Sequence, residues 1–201
     1  MTDSTHSNCI PILNPYEDLF LNLHHLLSSR PLPERRASIR RKLVSAYSWA
    51  IPSREALDSI VALELPILEL GAGTGYWAFC LRQLGARVHA YDQNAHAPPH
   101  WSPVEQGESL AVLEQKNGFP EGALLLCWPP LGDPMAIESL QRFRGPFVIE
   151  IGEEAGGNTG TRSFADELER SWKLETQIDL PRWPNASDSL RIWSRKPERQ
   201  P

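Results

Sequence analysis

The sequence is poor in cysteine and has no paired cysteine motif. Its three cysteines are Cys9, Cys80 and Cys127, an odd number, and no two of them are spaced as in a CxxC motif. Disulfide frameworks and zinc sites are recognised by even, closely spaced sets of ligands, so the sequence predicts neither and we expect no metal. Two of the cysteines lie in apolar stretches, which favours a structural role as small buried side chains over a redox role.

The chain also lacks a long hydrophobic run and an excess of positive charge. No segment approaches the ~18 apolar residues of a membrane span, and residues 1–8 are polar, without the basic and apolar parts of a signal peptide. We therefore expect a soluble, cytoplasmic protein with no membrane partner. The formal net charge is −5, so a nucleic-acid partner is not favoured, because phosphate neutralisation dominates such binding.

One cationic cluster stands out from this charge balance. Its members are Arg35, Arg36, Arg40, Arg41 and Lys42. They do not all share one face of a helix, so the sequence predicts a solvated helix flank.

A glycine-rich turn follows the apolar run at residues 67–70. Gly71, Gly73 and Gly75 are spaced as GxGxG, and Glu69 stands two residues ahead of them. Such a run predicts a buried parallel strand, and the glycines let the chain turn tightly and approach a ligand with bare backbone. A second strand is predicted to end at Asp92, where a carboxylate can accept both hydroxyls of a ribose. Together these features predict a nucleotide-cofactor site, with a structural turn as the alternative.

This GxGxG spacing behind Glu69 resembles motif I of the class I S-adenosylmethionine-dependent methyltransferases. The resemblance implies S-adenosylmethionine as the cofactor, with its amino-acid part held by the strand-end acid and the loop backbone. It also implies that Glu108, or failing it Glu105, accepts a hydrogen bond from the adenine amino group. Another nucleotide is the alternative. The predicted cofactor-binding residues are Glu69, Gly71, Gly73, Gly75, Tyr76, Trp77, Asp92, Glu108 and Cys127.

The rest of the chain alternates between strand and helix patterns, which is typical of an α/β fold. Strands are predicted near residues 66–71, 87–92, 101–105, 123–128, 146–152, 173–180 and 189–195. Helices are predicted near 16–29, 34–50, 54–63, 75–84, 109–116, 134–143 and 162–171. This pattern predicts a Rossmann-like, doubly wound, seven-stranded sheet whose last strand is antiparallel, with added N-terminal helices.

The N-terminal part is interpreted separately from the sheet. Residues 1–33 are read as a helical extension that serves as a lid or as a dimer element, and residues 34–201 as a class I methyltransferase-like domain. The chain is therefore predicted to act alone or as a homodimer.

The end of the fourth predicted strand departs from the class pattern. Ligands of such sheets bind at the carboxyl ends of the strands, and this strand ends in Cys127-Trp128-Pro129-Pro130. Amino-methylating members of the class carry Asn or Asp where Trp128 stands. An indole cannot accept the corresponding hydrogen bond, but it offers a π face to a sulfonium or an amine cation; simple packing is the alternative. We predict Trp128, Glu153 and Tyr47 as catalytic residues, the last two as titratable groups near the cleft that could act as a base.

Six segments jointly resemble a narrower family of small methyltransferase-like proteins from bacteria, fungi and plants. They include the sequences YSWAIP from Tyr47, GAGTGYWA from Gly71 and CWPP from Cys127, and the resemblance covers about residues 45–195. It implies the fold and the cofactor class but no substrate. The predicted function is methyl transfer to a small-molecule acceptor, with nitrogen as the favoured atom. The alternatives are another reaction of S-adenosylmethionine (cyclisation, elimination or aminocarboxypropyl transfer) and a non-catalytic, cofactor-binding partner protein.

Overall fold

A computed structural model describes residues 11–27, 33–95, 100–154 and 157–197, which form one sheet with helices on both faces. The strands are β1 (Ile67–Leu70), β2 (Val88–Asp92), β3 (Glu105–Gln106), β4 (Ala123–Cys127), β5 (Phe147–Gly152), β6 (Trp172–Asp179) and β7 (Ser189–Arg195). Their order across the sheet is β3-β2-β1-β4-β5-β7-β6. Strand β7 runs antiparallel to both of its neighbours, and the other pairings are parallel. The predicted α/β fold, with seven strands and an antiparallel last strand, is confirmed.

The helices cover the two faces of the sheet in two groups. They are α1 (Pro15–Leu27), α2 (Pro33–Ala46), α3 (Arg54–Val61), α4 (Tyr76–Gln83), α5 (Ser109–Gln115), α6 (Met135–Arg142) and α7 (Arg162–Ser171). Helices α1, α3 and α4 contribute to one core cluster, and α5, α6 and α7 to the other. The helices α3 and α7 begin where expected, since Ser53 and Thr161 accept hydrogen bonds from backbone N–H groups three residues on.

The central strands are mostly apolar because both of their faces are covered, and Glu69 is the one charged residue of β1. All four residues of β1 are buried. Ile67 packs into the first core cluster, whereas Leu68 and Leu70 pack into the second. A strand buried on both sides carries hydrophobic residues without alternation, which is why the sequence pattern located it.

The third strand is displaced from its predicted position. It was expected over residues 101–105, and the structure forms only Glu105–Gln106 there. The preceding residues are used to support the glycine loop instead. The Trp101 backbone N–H donates to the carbonyl of Thr74 (2.8 Å), and its indole donates to the carbonyl of Ala46 (2.6 Å). Those bonds take residue 101 out of the sheet.

Helix α1 is packed into the same core as the sheet. Tyr16 and Phe20 are buried in the first core cluster. The indole of Trp183, in the β6–β7 connection, donates to the Tyr16 hydroxyl (3.2 Å) and meets the ring of Phe20 edge-on with centroids 5.2 Å apart. Residues 1–10 and 28–32 lie outside the described parts, and the lid or dimer role assigned to residues 1–33 stays a prediction.

Helix α2 differs from the expected solvated flank at two positions. Arg35, Arg41 and Lys42 are exposed, as predicted, but Arg36 and Arg40 are half-buried. These two arginines are one helical turn apart and so share a face. The prediction of a solvated flank treated the five basic residues as one set. The burial of Arg36 and Arg40 depends on the parts of the protein that pack against their face of α2.

The thiols of Cys80 and Cys127 are free. Burial raises the pKa of Cys80 to about 12 and that of Cys127 well above its ordinary value, which agrees with a structural role. Cys9 lies outside the described residues. Within the described ranges, no group of three or more His, Cys, Asp or Glu side chains is arranged to hold a metal ion. None of the helices in those ranges has both the length and the apolar character needed to cross a bilayer.

Candidate active site

The glycine loop joins β1 to α4 in a conformation that requires glycine. Gly71, Gly73 and Gly75 have φ values of +73°, +54° and +71°, in the region that L side chains rarely adopt. The loop is tied to the end of β2, because Asp92 accepts hydrogen bonds from the backbone N–H groups of Gly73 (2.9 Å) and Asn94 (2.7 Å). Strand ends and loop backbone therefore meet at one edge of the sheet, as the sequence predicted.

A cavity of about 340 Å³ opens at this edge. Seven of the predicted site residues line it, namely Tyr47, Glu69, Gly71, Gly73, Trp77, Asp92 and Cys127. The structure adds residues that the sequence interpretation had not assigned, namely Val44, Ser45, Ser48, Trp49, Ala72, Thr74 and Asn94. A second cavity of about 300 Å³ shares Gly71 and Asp92 with the first and includes Glu108. The two cavities are therefore neighbours that meet at Gly71 and Asp92.

Glu69 is the most unusual side chain of the larger cavity. It is only 2 % exposed, and among the described residues its Oε2 atom has no hydrogen-bond partner. Burial raises the pKa of its carboxyl to about 8, against the opposing effects of the Arg82 charge and a hydrogen bond from Ala78. A buried acceptor without a partner costs stability unless a ligand satisfies it.

Gly75 and Tyr76 do not reach either cavity. A Cβ at Gly75 would lie 2.7 Å from Cγ2 of Val104, so this glycine allows close packing behind the loop. The buried Tyr76 hydroxyl donates to Asn14 (2.7 Å) and accepts from the backbone N–H of Tyr16 (3.0 Å). Tyr76 therefore connects α4 to the segment that begins α1.

Trp128 lies next to the larger cavity without lining it. Its φ of +52° is unusual for a bulky residue. Its indole donates to Oδ1 of Asp188 (2.7 Å) and stacks on Trp49, with centroids 4.9 Å apart and planes 15° apart. The Cζ atom of Arg40 lies 5.7 Å from the Trp128 ring centroid. One face of the Trp128 ring is therefore covered by Trp49, and the Arg40 guanidinium lies near the same ring.

Asp188 was not assigned from the sequence, where it lies in an irregular connection. It is 1 % exposed, and its Oδ2 has no hydrogen-bond partner among the described residues. Burial raises its pKa to about 6, while the bond from Trp128 and the charges of Arg40 and Arg182 act in the opposite direction. A second buried acid thus lies behind the stacked indoles.

Glu153 is held by its own loop. Its Oε2 accepts from the backbone N–H of Asn158 (2.7 Å) and from the Asn158 side-chain amide (2.8 Å). Its carbonyl accepts from Arg191, which also forms a two-pronged ion pair with Glu150. Glu153 thus closes the loop after β5, and the structure does not bring it to the wall of either cavity.

Tyr47 lies between other aromatic rings at the cavity wall. Its ring stacks between Tyr16 (4.8 Å) and Trp101 (5.1 Å), and its carbonyl accepts from the hydroxyl of Thr74. Tyr47 therefore contacts α1 through ring stacking and the glycine loop through a hydrogen bond, and it also lines the larger cavity.

Comparisons with known proteins identify the fold. No family model and no curated protein sequence matches the chain. Among solved structures, a Burkholderia thailandensis 1,6-didemethyltoxoflavin-N1-methyltransferase with bound S-adenosylhomocysteine matches with a TM-score of 0.54 and 20% identity, over 84% of this chain and 93% of that one. The fold is therefore the Rossmann-like fold found in S-adenosylmethionine-dependent methyltransferases.

Two further structures match at lower scores. Magnesium protoporphyrin IX methyltransferase from Synechocystis PCC 6803 matches with a TM-score of 0.48 and 10% identity, over 83% of this chain and 86% of that one. A TehB-like S-adenosylmethionine-dependent methyltransferase from Corynebacterium glutamicum matches with a TM-score of 0.48 and 15% identity, over 81% and 97% of the two chains.

Proposed function

We propose that this chain is an S-adenosylmethionine-dependent methyltransferase that acts on a small molecule, with nitrogen as the acceptor atom. The observation that carries the proposal is the buried carboxyl of Glu69, whose Oε2 has no partner among the described residues although it lies at the cavity wall beside the glycine loop. A carboxylate in that position suits an ammonium group, such as the α-amino group of S-adenosylmethionine. The match to a methyltransferase that binds S-adenosylhomocysteine supports the same cofactor class.

The two cavities suit an extended ligand. The amino-acid part would lie in the larger cavity against Glu69 and the backbone at Gly73, where an added Cβ would meet no atom within 4 Å. The ribose would lie at Asp92, which borders both cavities. The adenine would then enter the smaller cavity, where Glu108 lies. Trp77 and Cys127 would complete the wall around the amino-acid part.

The proposed chemistry needs positioning more than acid–base help. The cofactor supplies an electrophilic methyl group on a sulfonium, and an acceptor with a free lone pair attacks it in line. Holding the two partners in that geometry provides most of the rate enhancement. Glu153 is already engaged by Asn158, so an acceptor that needs no base, such as an amine or a ring nitrogen, fits best. Tyr47 and the Trp49–Trp128 pair are the proposed contacts of that acceptor.

Calorimetric titration with S-adenosylmethionine and S-adenosylhomocysteine tests the cofactor assignment. We expect micromolar binding in the native protein. Asp92→Ala should weaken it more than about tenfold, because two charge-assisted hydrogen bonds to the ribose are lost. Asp166→Ala, which removes an exposed carboxylate on α7, is the matched control and should bind normally. Equal affinity in Asp92→Ala and native protein would contradict the ribose assignment.

Product analysis then separates the possible reactions of the bound cofactor. Incubation with S-adenosylmethionine and a panel of small amines should release S-adenosylhomocysteine. Methylthioadenosine as the product would instead indicate cyclisation, elimination or aminocarboxypropyl transfer. Tight binding without any turnover would favour a non-catalytic partner protein.

A further inference from the structure

Two arginines of α2 present buried donors without partners. The Nε atom of Arg36 and the Nε and Nη2 atoms of Arg40 are buried and have no hydrogen-bond partner among the residues that the structure describes. Buried polar groups are normally satisfied, and the two like charges are also only one turn apart. An arrangement that repels itself and leaves donors unpaired points to an anion that is bound during function.

The unpaired edge of Arg40 has a definite shape. Its Nε–H and Nη2–H point in the same direction and form a two-pronged donor. The same edge of Arg191 binds Glu150 in this chain, with Nε–Oε2 at 2.9 Å and Nη2–Oε1 at 3.1 Å. The unpaired edge of Arg40 therefore has the donor geometry that suits a carboxylate.

Arg40 is connected to the larger cavity through two stacked indoles, without forming part of its wall. Its guanidinium carbon is 5.7 Å from the centroid of Trp128, which stacks on Trp49. Trp49 lines the larger cavity and is 51% exposed. Val44, one turn after Arg40 on the same helix, also lines that cavity. The guanidinium thus lies beside the aromatic pair that borders the proposed cofactor site.

We propose that the acceptor is a small, flat carboxylic acid, whose carboxylate binds the Nε and Nη2 edge of Arg40 and whose ring packs on Trp49. The proposal rests on the function proposed above and names its substrate class. A carboxylate fits better than a phosphate dianion, because the buried Asp188 lies close enough to Arg40 to interact with its charge and would repel two negative charges more than one.

Benzoate and benzamide form a matched pair of probes, because they share a ring and differ in charge. Each is titrated into protein saturated with S-adenosylhomocysteine, and the ¹H–¹⁵N signals of the arginine side chains are followed. We expect benzoate to shift one Nε–H signal and to bind at least about tenfold more tightly than benzamide. Arg40→Met should remove that signal and the preference, and Arg40→Lys should keep the charge but lose most of the preference. Arg41→Met, on the exposed side of α2, is the matched control and should behave as native protein.

Several results would overturn the proposal. They are equal affinity for the two probes, a benzoate preference that survives in Arg40→Met, and no benzoate binding at all. The absence of benzoate binding is what we expect if the Arg40 guanidinium forms an ion pair with the Asp188 carboxylate. Tighter binding of inorganic phosphate than of benzoate would overturn the carboxylate assignment. Thermal unfolding of both Arg40 variants verifies that they fold.

The two proposals fail in different ways. Binding of S-adenosylhomocysteine is measured first on the same samples, so its absence counts against the methyltransferase function alone. The benzoate titration of cofactor-free protein still tests the Arg40 edge in that case. Cofactor binding without a benzoate response counts against the carboxylate acceptor alone.

Discussion

Replacing Glu69 by Gln should abolish a large part of the pH dependence of stability. The pKa of Glu69 is about 8 in the folded protein, against an ordinary value of 4.5. Between those two pH values the native state holds a proton that the unfolded chain lacks. Stability that is fully present below pH 4.5 is therefore lost as the pH rises towards 8.

The size of this effect follows from the shift. One pKa unit corresponds to about 1.4 kcal/mol, so Glu69 accounts for a fall of about 5 kcal/mol across the whole window. The side chain is almost fully buried, so solvent screening does not reduce the figure. Glutamine has the shape of the protonated acid and cannot ionise. Glu69→Gln should thus match the native protein near pH 5 and exceed its free energy of unfolding by several kcal/mol near pH 8.5.

Urea denaturation between pH 5 and pH 9 measures this difference. Asp188 and Glu17 also have raised pKa values, but they are present in both proteins and their contributions cancel in the comparison. Glu121→Gln, at an exposed position, is the matched control and should follow the native curve. A constant difference between native protein and Glu69→Gln over the whole pH range would refute the reasoning.

The same carboxyl links protonation to cofactor binding. An ammonium group beside Glu69 favours its ionised form, so binding near pH 7 should release a proton. Calorimetry in two buffers of different ionisation enthalpy measures that release, which should vanish in Glu69→Gln. Proton release of equal size in both proteins would assign it to another group.

Two further substitutions separate chemistry from packing. Trp128→Leu removes the donor to Asp188 and the stack on Trp49, so turnover should fall at least about tenfold while cofactor affinity is kept; unchanged turnover would leave Trp128 a packing residue. Tyr76→Phe removes buried hydrogen bonds to Asn14 and Tyr16, so urea denaturation should show a loss of about 1 to 3 kcal/mol with unchanged cofactor affinity. A weaker affinity in Tyr76→Phe would instead support the cofactor contact predicted from the sequence.

The sequence predicted those parts of the molecule whose pattern is set by local physics. Strands β1 and β4 are apolar, apart from Glu69, because both faces are covered, and the glycine spacing reflects positive φ values that few other residues tolerate. The displaced third strand shows the limit of this approach. Residues 101–104 have extended character in sequence, but Trp101 bonds to Thr74 and Ala46, and those partners are distant along the chain.

The residues of the candidate site also fall into those that the local pattern predicts and those whose contacts are distant in sequence. Asp92 was identified because it ends a predicted strand at the edge of the sheet where ligands bind, and Glu69 because it stands two residues ahead of the glycine loop. Asp188 and Arg40 were missed because they are linked to the site by contacts with Trp128, which is far from both in sequence. Tyr76 directly follows the glycine loop, yet it points towards α1, and helix periodicity alone does not say which neighbour occupies that side.

The contact between Tyr16 and Trp183 has a consequence for the order of folding. The two residues are 167 positions apart, so the partner of α1 is among the last parts of the described chain to be synthesised. Tyr16 and Phe20 lack their contacts with Trp183 until the β6–β7 hairpin has formed. Docking of α1 is therefore expected to be a late step, and an emerging chain exposes an aromatic surface that invites chaperone binding or aggregation until then.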